Sequence, residues 1–436
     1  MLNSARGQLS TSTERLICGH NRPKYPIAYR ALFLFTCIKE SLYLTVNLTT
    51  KGVSMYLRKF LTLFIVVLVF SVIVSYAGIR ELSATNTPLK VIVDHDGGVD
   101  DAAAIAWLLS QERYAVDVLG MTTVVGNTSV ENAANNTLII LDKVDRQDIP
   151  VLIGADSPLL QEVSGSGSFI HGPDGLWFAG LSNPQDLSGL STDVTGFYCQ
   201  QAAPDVTLLA LGPLTNLALA LDVCPDAIAE FEQIVFLGGS IEGGNRTPVA
   251  EYNVWYDPEA ADQVLTAGLN LILVPQEAFR SFNLTERDID RLARKGSDVG
   301  QFLAGPLQLY GTAQTGFGGS ANISVADVAA TIYTMNTALG NSQSALVKTA
   351  SGILETDPQR LLRGQTVMGF GFASRITMIA DDAEISYLAE QAFSDPNFNL
   401  QAALGAILMR EPDNAQVVTD IQFRLMRNMF LQDLTN

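Results

Sequence analysis

Lys90-Val91-Ile92-Val93-Asp94-His95-Asp96-Gly97-Gly98-Val99-Asp100-Asp101 passes from a β-branched apolar run into four carboxylates within eight residues. The apolar run, Lys90–Asp94, reads as a buried strand, two glycines turn the chain, and a helical pattern follows over Asp101–Ser110. The same alternation continues downstream. Strands are expected at Val116–Val124, Val151–Ile153, Val206–Ala210, Ile234–Leu237 and Leu271–Val274, with helices at Val130–Val144, Leu214–Leu221 and Pro258–Ala267. Strand and helix in turn predict an α/β fold: an open, mainly parallel sheet with helices on both faces. In such sheets ligands bind at the carboxyl ends of the strands, which is where the aspartates fall.

The ends of the chain differ in kind. With 47% hydrophobic and 17% charged residues the chain suits a large globular core. Leu61–Ala77 is an uncharged apolar run behind Arg58 and Lys59, and its length suits a signal cleaved near Ala77 or a retained membrane anchor. The division expected is an uncertain extension over 1–54, a signal peptide or anchor over 55–77, and a catalytic domain over 89–436. A secreted or periplasmic location follows, with attachment through residues 57–77 if they stay. Residues 1–77 hold nine Lys and Arg against two Asp and Glu, so the remainder keeps 18 basic and 43 acidic residues, a net charge of −25. That charge argues against nucleic acid or an anionic membrane surface as partner. Cys199 and Cys224 lie beyond the signal; a disulfide and two buried thiols are both open.

Carboxylates packed as Asp94, Asp96, Asp100 and Asp101 raise one another's pKa unless a cation or donors compensate. Oxygen ligands of this kind suit calcium. Asp100 and Asp101 would also complement a helix dipole, but that effect is small and leaves Asp94 and Asp96 unexplained. Later strand ends add Asn127 in Val125-Gly126-Asn127, Leu211-Gly212-Pro213-Leu214-Thr215-Asn216, and Gly243-Gly244-Asn245-Arg246-Thr247-Pro248-Val249-Ala250-Glu251-Tyr252-Asn253. Asn127 taken alone is equally a turn or cap residue. Together these are groups that grip a polyhydroxylated ligand.

These motifs, read in order and followed by Asp257-Pro258-Glu259-Ala260-Ala261, resemble the nucleoside hydrolase family from about Leu89 to Asp327, and less clearly through Arg363–Val367 to a strand near Ile376. The resemblance implies calcium-dependent hydrolysis of the N-glycosidic bond of ribonucleosides, giving ribose and free base. It implies that Asp96, Asp101, Asp327 and the backbone carbonyl of Thr215 ligate calcium, with Asp96 also the general base toward water. Asp100, Asn245, Glu251, Asn253 and Asp327 would hold the ribose, with Asn127 near them and Asp94 in support. A nucleoside is then the small-molecule partner, and a homodimer or homotetramer the expected assembly.

Two positions, Ala326 and Gly97, depart from the family pattern. The His that precedes the last aspartate is Ala326, so the group that protonates the leaving base must lie elsewhere. His171, in His171-Gly172-Pro173-Asp174-Gly175, is expected to touch the base or gate the pocket, though the same residues suit a surface turn. His95 should face away from Asp94 and Asp96 by strand alternation. A proline usual after Asp96 is Gly97, which is expected to loosen the loop. Trp177, Phe178, Trp255 and Tyr310 are stacking candidates that packing explains equally well. Two rival readings are a non-catalytic nucleoside- or ribose-binding protein and a haloacid-dehalogenase-like phosphatase built on Asp94-x-Asp96; the latter leaves Asp100, Asp101 and the Asn245 motif without a role.

Overall fold

The computed structural model describes residues 88–160, 167–316, 322–338, 345–357 and 361–435. Thr87–Asn436 forms one compact unit. The extension, and the signal or anchor expected over 55–77, lie outside the described residues. Among those residues no helix is long and apolar enough to cross a membrane.

The strands are β1 Leu89–His95, β2 Val116–Thr123, β3 Val151–Ile153, β4 Val206–Ala210, β5 Gln233–Leu237, β6 Leu271–Val274, β7 Asn283–Leu284, β8 Ile323–Ser324, β9 Ala345–Leu354, β10 Thr366–Gly369 and β11 Ala415–Ile421. Nine of them form one sheet in the order β10-β9-β11-β6-β5-β4-β1-β2-β3, and β7 pairs with β8. From β11 through β3 every pairing is parallel; β9 runs antiparallel to both β10 and β11. The sheet is therefore mainly parallel, as the alternation predicts.

Both faces are covered because the strands are apolar on both. In β1, Val91 and Val93 enter one core while Ile92 enters the other. The same two-residue period sends Val235 and Leu237 of β5 to the first core and Ile234 and Phe236 to the second. Helices Val99–Ser110 and Ala326–Ala338 pack on the first face, and Thr215–Val223 and Pro258–Thr266 on the second. One expectation fails: Ile376 lies on the helix Phe372–Ile379, in a small helical cluster between β10 and β11, and not on a strand. Its apolar residues, Ile376 and Ile379 with Phe372, recur at helical spacing, and Gly371 at φ +80° turns the chain into that helix.

Candidate active site

The carboxyl end of β1 delivers Asp94, His95 and Asp96, and alternation then separates them. Asp94 accepts from Thr122 Oγ1 at 2.6 Å and Asn216 Nδ2 at 2.8 Å beneath the crevice. Burial raises its pKa to about 6, against those donors. His95 turns the other way, to the Thr137 hydroxyl at 2.9 Å, and burial lowers its pKa to about 3, so it stays neutral. Both are supporting groups.

Gly97 turns the chain with φ +74°, and a Cβ there would stand 2.4 Å from Ala133 Cα. Proline, locked near φ −65°, has no access to this conformation. Gly97 is therefore a tight, packed turn, contrary to the looser loop expected. It brings Asp100 and Asp101, in the first turn of the helix Val99–Ser110, back beside Asp96.

Asp327 meets them from the first turn of the helix Ala326–Ala338. Carboxylate oxygens of Asp100, Asp101 and Asp327 all lie within 4.8 Å of one another, and all three residues are buried. Asp96 adjoins this group through Asn127, whose amide nitrogen donates to Asp96 Oδ1 at 2.7 Å and Asp101 Oδ2 at 3.3 Å. The Asn127 backbone N–H donates to Asp96 Oδ2 at 2.8 Å. Asn127 thus orients two of the carboxylates.

Electrostatics show what such a cluster lacks. Burial, then the Asp101 charge, pushes Asp96 well above the usual carboxylate range. Burial, then the Asp100 charge, raises Asp101 to about 7 and holds Asp327 well above the usual carboxylate range. Asp100 Oδ1 and Asp101 Oδ1 are buried without hydrogen-bond partners. The four residues call for protons or for a cation, and an all-oxygen donor set fits a hard divalent cation.

His171 ends the short helix Ser168–His171 and is buried against the cluster. Its Nδ1 accepts from the Val99 backbone N–H at 3.2 Å and lies 3.6 Å from Asp100. Burial lowers its pKa, so the ring is neutral with its proton on Nε2. Tyr310, from the helix Asp298–Gly316, packs its ring 4.9 Å from that of His171 and donates its hydroxyl to Asp100. The sequence offers Tyr310 only as a stacking candidate; its place on an apolar helix face hides the hydroxyl.

Other expected residues stand along the same rim with their polar atoms engaged. Thr215 opens the helix Thr215–Val223, so its carbonyl points down the helix axis away from the strand ends, and its hydroxyl donates to Asp257 at 2.6 Å. It does not join the carboxylates. Glu251 caps the helix Tyr252–Tyr256, accepting from the backbone N–H groups of Gly239, Asn253 and Val254. Burial raises its pKa to about 7. Asn253 donates to the Leu211 and Leu237 carbonyls at 2.7 and 2.9 Å. Asn245 is exposed, its Oδ1 accepting from the Tyr252 backbone N–H. Tyr252 itself reaches the Gly126 carbonyl at 2.9 Å.

Residues 91–427 match the model of the inosine-uridine preferring nucleoside hydrolases. The chain belongs to that family. It is thereby an N-glycosyl hydrolase. It is 34% identical over 228 residues to a probable uridine nucleosidase 2 of Oryza sativa subsp. japonica, covering 51% of this chain and 67% of that one. It is 36% identical over 222 residues to a pyrimidine-specific ribonucleoside hydrolase of Shewanella woodyi, covering 50% and 70%. A solved plant nucleoside hydrolase aligns over 80% of this chain and 99% of its own with TM-score 0.65 and 26% identity. Family membership removes the phosphatase reading of the Asp94-x-Asp96 strand end.

Proposed function

We propose that this hydrolase cleaves the N-glycosidic bond of ribonucleosides in a calcium-dependent reaction, releasing ribose and free base. The observation that carries the reading is the buried group Asp96, Asp100, Asp101 and Asp327, four carboxylates with two unsatisfied oxygens. Asp96, Asp101 and Asp327 would hold the calcium, with Asp100 among the same buried carboxylates. Calcium bound there would offset the charge of these carboxylates and lower the pKa of a water in the pocket.

The protein's own groups do the rest. Asp96, held by two bonds from Asn127, removes the proton of the attacking water. Asp100 keeps an unpartnered oxygen for a ribose hydroxyl. Surrounding negative charge stabilises a sugar that becomes oxocarbenium-like as the C–N bond breaks. His171 Nε2–H serves the departing base in place of the histidine replaced by Ala326. Asn245, Glu251 and Asn253 shape the wall on the ribose side.

The hydrolase is secreted or periplasmic in this reading, with residues 55–77 as signal or anchor. The Cys199–Cys224 disulfide, Cα atoms 6.0 Å apart, suits an oxidising compartment. The test is a panel of purine and pyrimidine ribonucleosides, their 2′-deoxy analogues and a nitrophenyl riboside, with calcium present. Free base and ribose should appear together from the ribonucleosides; release from none of them would remove the proposal.

A further inference from the structure

Asn136 is buried on the helix Val130–Lys143 and touches the loops on both sides of the site. Its side-chain nitrogen donates to two backbone carbonyls: Gly97 at 3.0 Å, in the carboxylate turn, and Asp174 at 2.8 Å, in the loop that carries His171. Two carbonyls facing one atom fix the amide's orientation, since only the NH₂ end has two hydrogens to give. The same helix grips the carboxylate turn twice more, through Ala133 under Gly97 and through Thr137 on His95.

The His171 loop is stiff beyond Asp174. The Asp174 carboxylate accepts from the backbone N–H groups of Leu176, Phe178 and Leu181. Trp177 and Phe178 are held at φ +50° and +73°, a conformation that aromatic residues keep only when their surroundings impose it. Trp177 then donates its backbone N–H to the His171 carbonyl at 3.1 Å and its indole N–H to the Ile170 carbonyl at 2.8 Å. These bonds tie Asp174 through Trp177 to the segment that carries His171.

We propose that Asn136 is a positioning residue: it sets the spacing between the carboxylate turn and His171, so that the water-activating and base-serving sides of the pocket meet at one glycosidic bond. The inference rests on the reading of His171 above. Misplacing a reacting group by about 1 Å costs up to about 10²-fold, whereas a purely structural amide would change melting alone.

The test is a double-mutant cycle of Asn136→Ala and His171→Ala in the full chain with calcium, assayed on a ribonucleoside and on a nitrophenyl riboside, with melting recorded. Asn136→Ala should lower kcat on the ribonucleoside by about 10- to 100-fold, with KM and the nitrophenyl riboside little changed. In the His171→Ala background it should cost nothing further. Asn135→Ala is the control, because Asn135 ties the same loop farther on, at Gly180 and Gln185, and should stay near wild type. Equal losses on both substrates, or losses that multiply in the double variant, overturn the proposal and leave His171 in place. An inert His171→Ala overturns both. If Asn136→Ala does not fold, Asn136→Ser enters the same cycle and the same outcomes decide.

Discussion

The hydroxyl of Tyr310 donates to the Asp100 carboxylate at 2.9 Å. One side chain thus touches both a carboxylate of the cluster and, through its ring, His171. Tyr310→Phe keeps the ring and removes the donor. A hydrogen bond to a charged group contributes about 1.5–3 kcal/mol, so the variant should melt lower and show a raised KM as Asp100 loses its orientation. Wild-type melting and KM would take Tyr310 out of the site.

Asp96→Asn should abolish base release while the fold persists. The amide fills the same space between the Asn127 donors but accepts no proton. Near-normal turnover by this variant, with folding shown by melting and circular dichroism, would end the general-base assignment.

The pKa shifts set a direction for pH dependence. Asp101 is raised to about 7 and Asp94 to about 6, above their ordinary 3.8. Raised carboxyls stabilise the fold when protonated, and that contribution is lost as pH rises from about 4 through about 7. His95, lowered to about 3, acts oppositely as pH falls below its ordinary 6.5, with or without calcium. The difference in melting between calcium and chelator isolates the cluster. That difference should grow as pH rises from 5 to 8, since protons and calcium compete for the same oxygens. A difference flat in pH, or one shrinking as pH rises, would contradict the assignment.

Much of this was legible in the chain. Runs such as Leu271–Val274 are apolar on both faces, and the order of the aspartate and asparagine motifs announced the rim. The C-terminal strands were not: β9 carries Lys348 and Thr349 amid apolar residues, and Leu346, Val347 and Ile353 are exposed, so no buried pattern marks it. The site's inner contacts were hidden for a different reason. Asn136, Tyr310 and Asn127 act through partners 39, 210 and 31 residues away in sequence, where spacing carries no signal. Thr215 shows the converse: the motif was visible, but the helix it opens directs its carbonyl away from the carboxylates.

The group serving the departing base is tested by a leaving-group series. His171→Ala should cut cleavage of ordinary ribonucleosides by about 10²–10⁴-fold, the range of general acid catalysis, and spare a nitrophenyl riboside. Equal loss across the series would make His171 a binding residue. Efficient uridine cleavage by His171→Ala would place the acid elsewhere.

In the proposed function the buried carboxylates form a calcium-requiring hydrolytic site. Its most direct test strips the protein with chelator, then adds calcium stepwise while following free base from a ribonucleoside together with melting temperature. Base release should rise from near zero, saturate at about one calcium per chain, and track a rise in melting as binding stabilises the native state. Undiminished turnover and unchanged melting in excess chelator would contradict the account.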